Sequence, residues 1–414
     1  MSTPPTTDGS DPAGLDLADV ALHVGTDQAE VWRRLRDEHP LYWNPARDDD
    51  TPGFWAVTRH ADVCAVYRDA ATFTSQRGNL LTALLRGGDT GAGQMIAVTD
   101  GPRHHAIRSL LAPSLGPRAL TRLAAKVTAT TERLLDSAVA RRDVDFAHDV
   151  AAHIPLTTIC DLLGVPTDDR AFIQRQTSVA LGSDNPDQSP TEIWLARNEI
   201  LLYFRELCGL RRRTPADDLV SVLANGRIDG EEISEDEVVL NCYSLILGGD
   251  ETARLSMAGA VAAFAAWPEQ WHRLQTGQAG LAAAVEEVLR WTTPALHAGR
   301  TARYDTDLHG RTIKAGDIVT VWNVAANFDE REFAEPGEFD LGRKPNRHVS
   351  FGYGTHFCLG ASLARIELSA LLAGLRDRVQ RIEISAAPAR IFSNFLAGYS
   401  SLPVTLTPAG ASRS

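Results

Sequence analysis

The longest patterned stretch of the chain runs from residue 235 to about 267, where apolar positions recur on nearly every turn. At 1.5 Å per residue, roughly 30 residues make about 45 Å of helix, enough to cross a whole domain. Shorter helical patterns occupy 27–39, 61–68 and 281–291, and helical patterns dominate from about 103 to 224. The aromatic and β-branched run Gly-Phe-Trp-Ala-Val-Thr at 53–58 predicts a strand. Short strands are expected over 302–321, with turns at 307–310 and 315–316. The stretch 75–95, with Gly87, Gly88, Gly91 and Gly93, reads as a loop. A last helix over 359–379 gives way to strands and turns. The sum is mainly α with a smaller β portion, in one compact domain over 16–409.

Composition narrows the class. Of 414 residues, 44% are apolar and 23% charged, an ordinary globular profile with material for a large core. A net charge of −12 argues against a nucleic-acid binder, which carries a basic footprint. Residues 1–15, rich in Ser, Thr, Pro, Asp and Gly, read as a disordered tail without the signature of a signal peptide. Residues 410–414 read as a short C-terminal tail. No run of about 18 apolar residues is present, so no membrane span is expected. Cys64, Cys160, Cys208, Cys242 and Cys358 are scattered, odd in number and without a C-x-x-C pair. This points to a reducing compartment, the cytoplasm, and to no disulfide framework or zinc ribbon.

Chemistry concentrates in Phe351-Gly352-Tyr353-Gly354-Thr355-His356-Phe357-Cys358-Leu359-Gly360. Gly352 and Gly354 allow a tight turn. Cys358 stands just before a helix, where free N–H groups favour thiolate over thiol. Gly360 would let that helix lie against something flat, and Phe351 would shield the sulfur. A lone thiolate in such a pocket suits a haem iron. The other readings are a buried structural cysteine, the reading for the remaining four, and a Cys/His nucleophile pair with His356. A second cluster, Gly248-Gly249-Asp250-Glu251-Thr252, lies in the long helix. Two adjacent glycines there are costly, roughly 1 kcal/mol each, and suggest a widening or kink. Thr252 is placed to bond the carbonyl of Gly248, one turn back. An acid followed by a hydroxyl suits a proton relay; the alternative is a solvated acidic turn. Glu287 and Arg290 share one helix face, which alone would usually mean a surface pair.

The first segment resembles the haem-binding signature of the cytochrome P-450 superfamily, F-G-x-G-x-H-x-C-x-G, and matches all six fixed positions. With ordinary residue usage such a match by chance is rarer than about one in 10⁵. The second resembles the family's oxygen-activation motif. The resemblance implies that Thr252 hydrogen-bonds dioxygen at the iron and that Glu251 feeds protons, with Gly248 among the haem-binding positions. Glu287 and Arg290 resemble the family's E-x-x-R helix, with Arg343 as the third member of a structural trio. The segment 100–108 is similar to the family's D-P-P-x-H-x-x-x-R, with Gly101 in place of the first Pro. By that likeness His104, Arg108, Arg300 and His356 would bind the haem propionates. The motifs keep the family's order across 27–407, implying the triangular, mainly helical P-450 fold around haem b.

What the resemblance implies about function is a monooxygenase that inserts one atom of dioxygen into a small apolar molecule. Hydroxylation or epoxidation in the tailoring of a bacterial secondary metabolite is the expected task. Peroxide-driven or oxidative-coupling chemistry and a haem-based sensor are the alternatives. Electrons would come from NAD(P)H through a separate ferredoxin and ferredoxin reductase, docking where Arg343, Lys344, Arg347 and His348 supply positive charge. A monomer is expected, and a carrier-bound substrate stays open. By family position the substrate pocket draws on 75–95, 174–183, 243–252, 294–298 and 394–397. Its expected walls are Leu81, Leu84, Leu245, Leu296, His297, Phe395 and Leu396.

Overall fold

The computed structural model describes residues 14–25, 28–47, 51–181 and 188–410. Most of the expected tail therefore lies outside the described residues. Leu15, at its end, is tied down: its carbonyl accepts a 2.6 Å hydrogen bond from the Tyr42 hydroxyl.

The long helix spans Glu235–Ala266. Its start follows from local chemistry. The Ser234 side chain accepts from the Glu237 N–H at 3.2 Å, and Glu235, Asp236 and Glu237 put negative charge at the positive end of the helix dipole. Its second half is rich in alanine, and small side chains let neighbours come close. Ala258, Val261 and Phe264 join Phe339, Leu371, Leu372 and Leu375 in the largest core cluster. Gly249 serves close approach too: a Cβ there would come within 2.9 Å of Ile159, on the packed helix His153–Leu163. A Cβ on Gly248 would meet nothing within 4 Å. The helix stays continuous through both glycines. The pair serves packing on one side and open space on the other.

The β portion is smaller, as expected. A five-stranded sheet runs in the order Leu41–Asn44, Phe54–Val57, Ile318–Trp322, His297–Ala302, Phe73–Thr74. Ile318–Trp322 pairs parallel to Phe54–Val57 and antiparallel to His297–Ala302, with His297 opposite Trp322 and Arg300 opposite Val319. A three-stranded sheet joins Val379–Ile384, Pro403–Pro408 and Asp143–Asp145. The stretch 75–95 is not all loop, because Leu81–Leu85 forms a short helix. No described helix is long and apolar enough to cross a membrane.

One buried ionic hub joins these parts. Glu287 and Arg290, on the helix Leu281–Thr292, have side chains 1% and 0% exposed. They form a double hydrogen bond at 2.8 and 2.9 Å. Arg290 also donates to the carbonyls of Asn327, Pro336 and Glu338, each at 3.0 Å. Glu287 further accepts from Arg343 Nε at 3.2 Å, Asn346 Nδ2 at 3.0 Å and the Asp340 N–H at 3.0 Å. Such a pair offsets its desolvation only when its remaining bonds are made, and here they are. Replacing Glu287 by Ala should therefore leave two guanidinium groups buried without a counter-charge. We expect a loss of about 3–5 kcal/mol in urea unfolding; a loss below about 1 kcal/mol would contradict a structural hub.

Candidate active site

The loop that carries Cys358 is fastened from below by the neighbour of Glu287. Glu286 accepts two hydrogen bonds from Arg365, at 2.7 and 2.9 Å, and lies 3.1 Å from His348 Nε2. Burial alone would raise the Glu286 carboxyl, but the bonds from Arg365 and His348 outweigh it and hold it at about 2. Arg365 stacks over the Phe351 ring at 4.7 Å. Farther up the loop, Asn327 accepts from the Val349 N–H at 2.7 Å and donates to Ser350 Oγ at 2.9 Å. Gly352 and Gly354 turn the chain with φ of +67° and +70°. At Gly354 a Cβ would strike the Tyr67 carbonyl at 2.6 Å, so only glycine fits.

This loop, the long helix and the strand His297–Ala302 enclose a cavity of about 380 Å³. Cys358, Phe351 and Gly360 border it from the loop, Gly248 and Thr252 from the helix, and His104, Arg108, Arg300 and His356 from its cationic wall. Thr252 Oγ1 donates to the Gly248 carbonyl at 3.2 Å, the bond expected from the sequence. The Cys358 N–H donates to the Phe351 carbonyl at 2.9 Å. Burial pushes the Cys358 thiol up, and the Gly360 N–H, Arg108 and Arg365 offset this only in part. The helix after it begins at Ala361, so the expected help from free N–H groups comes from Gly360 and is outweighed by burial as long as nothing is bound. A coordinated metal is what deprotonates such a thiol.

The cationic wall is where the fit to a prosthetic group can be judged. His356 Nε2 lies 2.8 Å from Asp100 Oδ1, and the rings of His104 and His356 are 4.3 Å apart. Burial would raise Asp100, but bonds from His356, Thr74 and the Ser75 N–H hold it at about 2. Burial, with His356 and Arg108 nearby, lowers His104 to about 4. Arg300 is buried, lies 5.3 Å over the Tyr67 ring, and donates to the carbonyl of Gly299. Among the described residues neither Arg300 nor Arg108 has a carboxylate partner, and His104 Nδ1 is buried without one. Arg300, a buried cation this poorly paired, is costly unless an anion completes it, while His104, lowered to about 4, offers hydrogen-bonding nitrogens and not charge. The same cavity holds one thiol, and no described cluster of His, Cys, Asp or Glu suits a bare metal ion. A prosthetic group that carries a metal and acidic side arms fits this donor set: Cys358 could hold the metal, and Arg300, Arg108 and the histidines the acids.

Several expected positions lie elsewhere. Glu251 does not border the cavity. It is closed in a two-point ion pair with Arg254, with Nε 2.9 Å from Oε2. Successive helix residues point about 100° apart, so Thr252 faces the cavity and Glu251 turns away. Leu245, His297 and Phe395 line the cavity, but Leu81, Leu84, Leu296 and Leu396 do not. Leu81, Leu84 and Leu296 pack with Trp32, Phe54 and Trp322, and Leu396 with Leu255 and Ile391. Leu296 and Leu396, beside His297 and Phe395 in sequence, thus point into the core, while Ala298 on the other side of His297 lines the cavity with it. No lining residue comes from 174–181; residues 182 and 183 lie outside the described residues. On the expected docking face, Arg343 is engaged by Glu287 and His348 by Glu286, their side chains 7% and 3% exposed. Lys344 and Arg347 remain exposed. Glu367 was missed. It is buried on the cavity wall, and burial raises its carboxyl to about 8. An acid at a helical position facing apolar neighbours was the available signal.

The chain belongs to the cytochrome P450 family, and it is a haem-thiolate monooxygenase. The family model "Cytochrome P450" matches residues 280–379. The chain is 46% identical to Cytochrome P450 NovI of Streptomyces niveus over 407 residues, 98% of this chain and 100% of that one. It is 32% identical to Linalool 8-monooxygenase of Pseudomonas putida, covering 95% and 99%. Among solved structures it resembles P450 OxyD, involved in the biosynthesis of vancomycin-type antibiotics. That likeness has a TM-score of 0.87 and 36% identity, over 96% of this chain and 100% of that one.

Glu367 yields a pH prediction. Its ordinary value is 4.5, and it stands near 8 when folded. Below pH 4.5 both states hold the proton. Between about 4.5 and 8 only unfolding releases it, so this contribution to stability falls as pH rises, by up to ~1.4 kcal/mol per pH unit. Urea midpoints of the wild type and Glu367→Gln, compared from pH 5.5 to 7.5, should diverge in that sense. Parallel curves would contradict a buried neutral acid.

Proposed function

We propose that the protein inserts one atom of dioxygen into a C–H or C=C bond of a small apolar substrate, as a tailoring step on a bacterial secondary metabolite. The observation that carries this is one cavity bordered by a lone thiol, a poorly paired cationic wall and the Thr252 hydroxyl. The likeness to NovI and to OxyD supports the biosynthetic setting. Cys358 would hold the iron of haem b, and His104, Arg108, Arg300 and His356 its two carboxylates. Bound there, the haem supplies the activation of dioxygen, which consumes two electrons and two protons.

The residues of the chain do the rest. Leu245, Phe395 and the backbone at Gly248 exclude water and leave room for an apolar skeleton. Thr252 can exchange its bond to the Gly248 carbonyl for one inside the cavity, so its hydroxyl relays a proton without leaving the helix. Glu367, neutral at pH 7, holds a proton on the wall. Glu251 acts, if it leaves Arg254, as a positioning and supply group behind Thr252. Electrons arrive from NAD(P)H through a separate ferredoxin and its reductase, with Lys344 and Arg347 on the docking face. The setting is a cytoplasmic monomer of one domain over 16–409.

The test is turnover under ¹⁸O₂ with a surrogate ferredoxin and reductase. One labelled oxygen should enter the product. Thr252→Ala should keep NADH consumption within about threefold while product per NADH falls by about 10-fold or more, the scale of a lost proton-transfer group. Product without label, or full coupling in Thr252→Ala, would overturn the proposal.

A further inference from the structure

His297 begins the strand His297–Ala302 and borders the cavity. Its side chain is 2% exposed. Its ring packs 4.8 Å from Trp322 and 5.6 Å from Phe395. Among the described residues, neither Nδ1 nor Nε2 has a hydrogen-bond partner. Two orphan nitrogens on one ring are unusual, because a buried polar atom without a partner is costly. Pro294, Ala295, Ala298, Leu245 and Phe395, which line the cavity with it, carry no side-chain donor or acceptor. Burial first, and then His23, lowers the imidazole to about 3, so the ring is neutral at physiological pH.

We propose that the substrate is an electrically neutral molecule that places a hydroxyl against the imidazole of His297, a position that the family likeness had already put in the pocket. This rests on the monooxygenase reading above. A neutral imidazole offers one N–H donor and one bare acceptor nitrogen. A hydroxyl both donates and accepts, so it satisfies whichever nitrogen faces it in either tautomer. A carbonyl or an ether satisfies only the N–H. A carboxylate or an ammonium group would be buried there without a counter-charge, since the cationic wall is formed by other residues and Glu367 is neutral. The substrate must therefore bring its acid or amine groups elsewhere, or bring them capped as ester, thioester or amide. The apolar walls take the carbon skeleton, and His297 fixes its orientation.

The test uses the haem-loaded enzyme and spectral binding titrations. The probes are matched sets of one skeleton, C8 to C12 alkyl and arylalkyl, as alcohol, the hydrocarbon with methyl in place of the hydroxyl, and carboxylate. The best alcohol should bind about 10- to 100-fold more tightly than its hydrocarbon and its carboxylate, the scale of one buried hydrogen bond left unmade. His297→Phe, which keeps the ring packing, should erase that preference while leaving hydrocarbon affinity within about threefold. His297→Gln, which restores a donor and an acceptor, should recover part of it. The proposal fails if the alcohols bind no more tightly than the hydrocarbons, or not at all, or if the preference survives in His297→Phe. An unchanged haem spectrum in the substrate-free variants separates these failures from failure of the monooxygenase reading, which would show as loss of the haem site itself.

Discussion

Two adjacent carboxylates on one helix, Glu286 and Glu287, hold the site together. Glu287 gathers Arg290, Arg343, Asn346 and the Asp340 N–H. Through Arg290 it also fixes the carbonyls of Asn327, Pro336 and Glu338. Glu286 gathers Arg365 and His348. One acid thus anchors the irregular chain leading into the Cys358 loop, and the other anchors the helix leading out of it. A loop without regular secondary structure needs its backbone groups satisfied by side chains, and Asn327 does this at Val349 and Ser350. The position of the sulfur therefore depends on bonds made some way from it.

Above this foundation the cavity divides by charge. Its cationic wall is short of anions, and Asp100 serves only His356 among the candidate ligands. Its remaining walls are mostly apolar, interrupted by Thr252, His297, Glu367, two asparagines (Asn79 and Asn323) and the serines Ser244, Ser256 and Ser350. Burial acts on each titratable group in the direction that removes charge: Cys358 and Glu367 up, His104 and His297 down. A site with these tendencies takes its charge from what binds there.

The chemistry-bearing part of this arrangement was legible in the chain because it is local. The turn glycines, the Cys358 loop and the Thr252–Gly248 bond depend on neighbours within a few residues. The long helix was legible because its pattern persists over many turns. Orientation was less accessible. Leu81, Leu84, Leu296 and Leu396 are apolar residues in the right segments, but one step along a strand or a third of a helical turn sent them into the core instead of the cavity. Glu251 was displaced by the same geometry, and its partner Arg254 was not weighed. Arg343 and His348 read as surface charge because their acids lie about 60 residues away in sequence. Glu367 and the orphan nitrogens of His297 became visible only when burial was known.

The central claim is that Cys358 is the axial ligand of a haem. The most direct measurement is the absorption spectrum of the dithionite-reduced protein under carbon monoxide, for the wild type and Cys358→His. Thiolate ligation predicts a strongly red-shifted Soret band in the wild type, replaced in the variant by the band of a histidine-ligated haem. A freshly prepared wild type that binds no haem, or a red-shifted band that persists in Cys358→His, would contradict it.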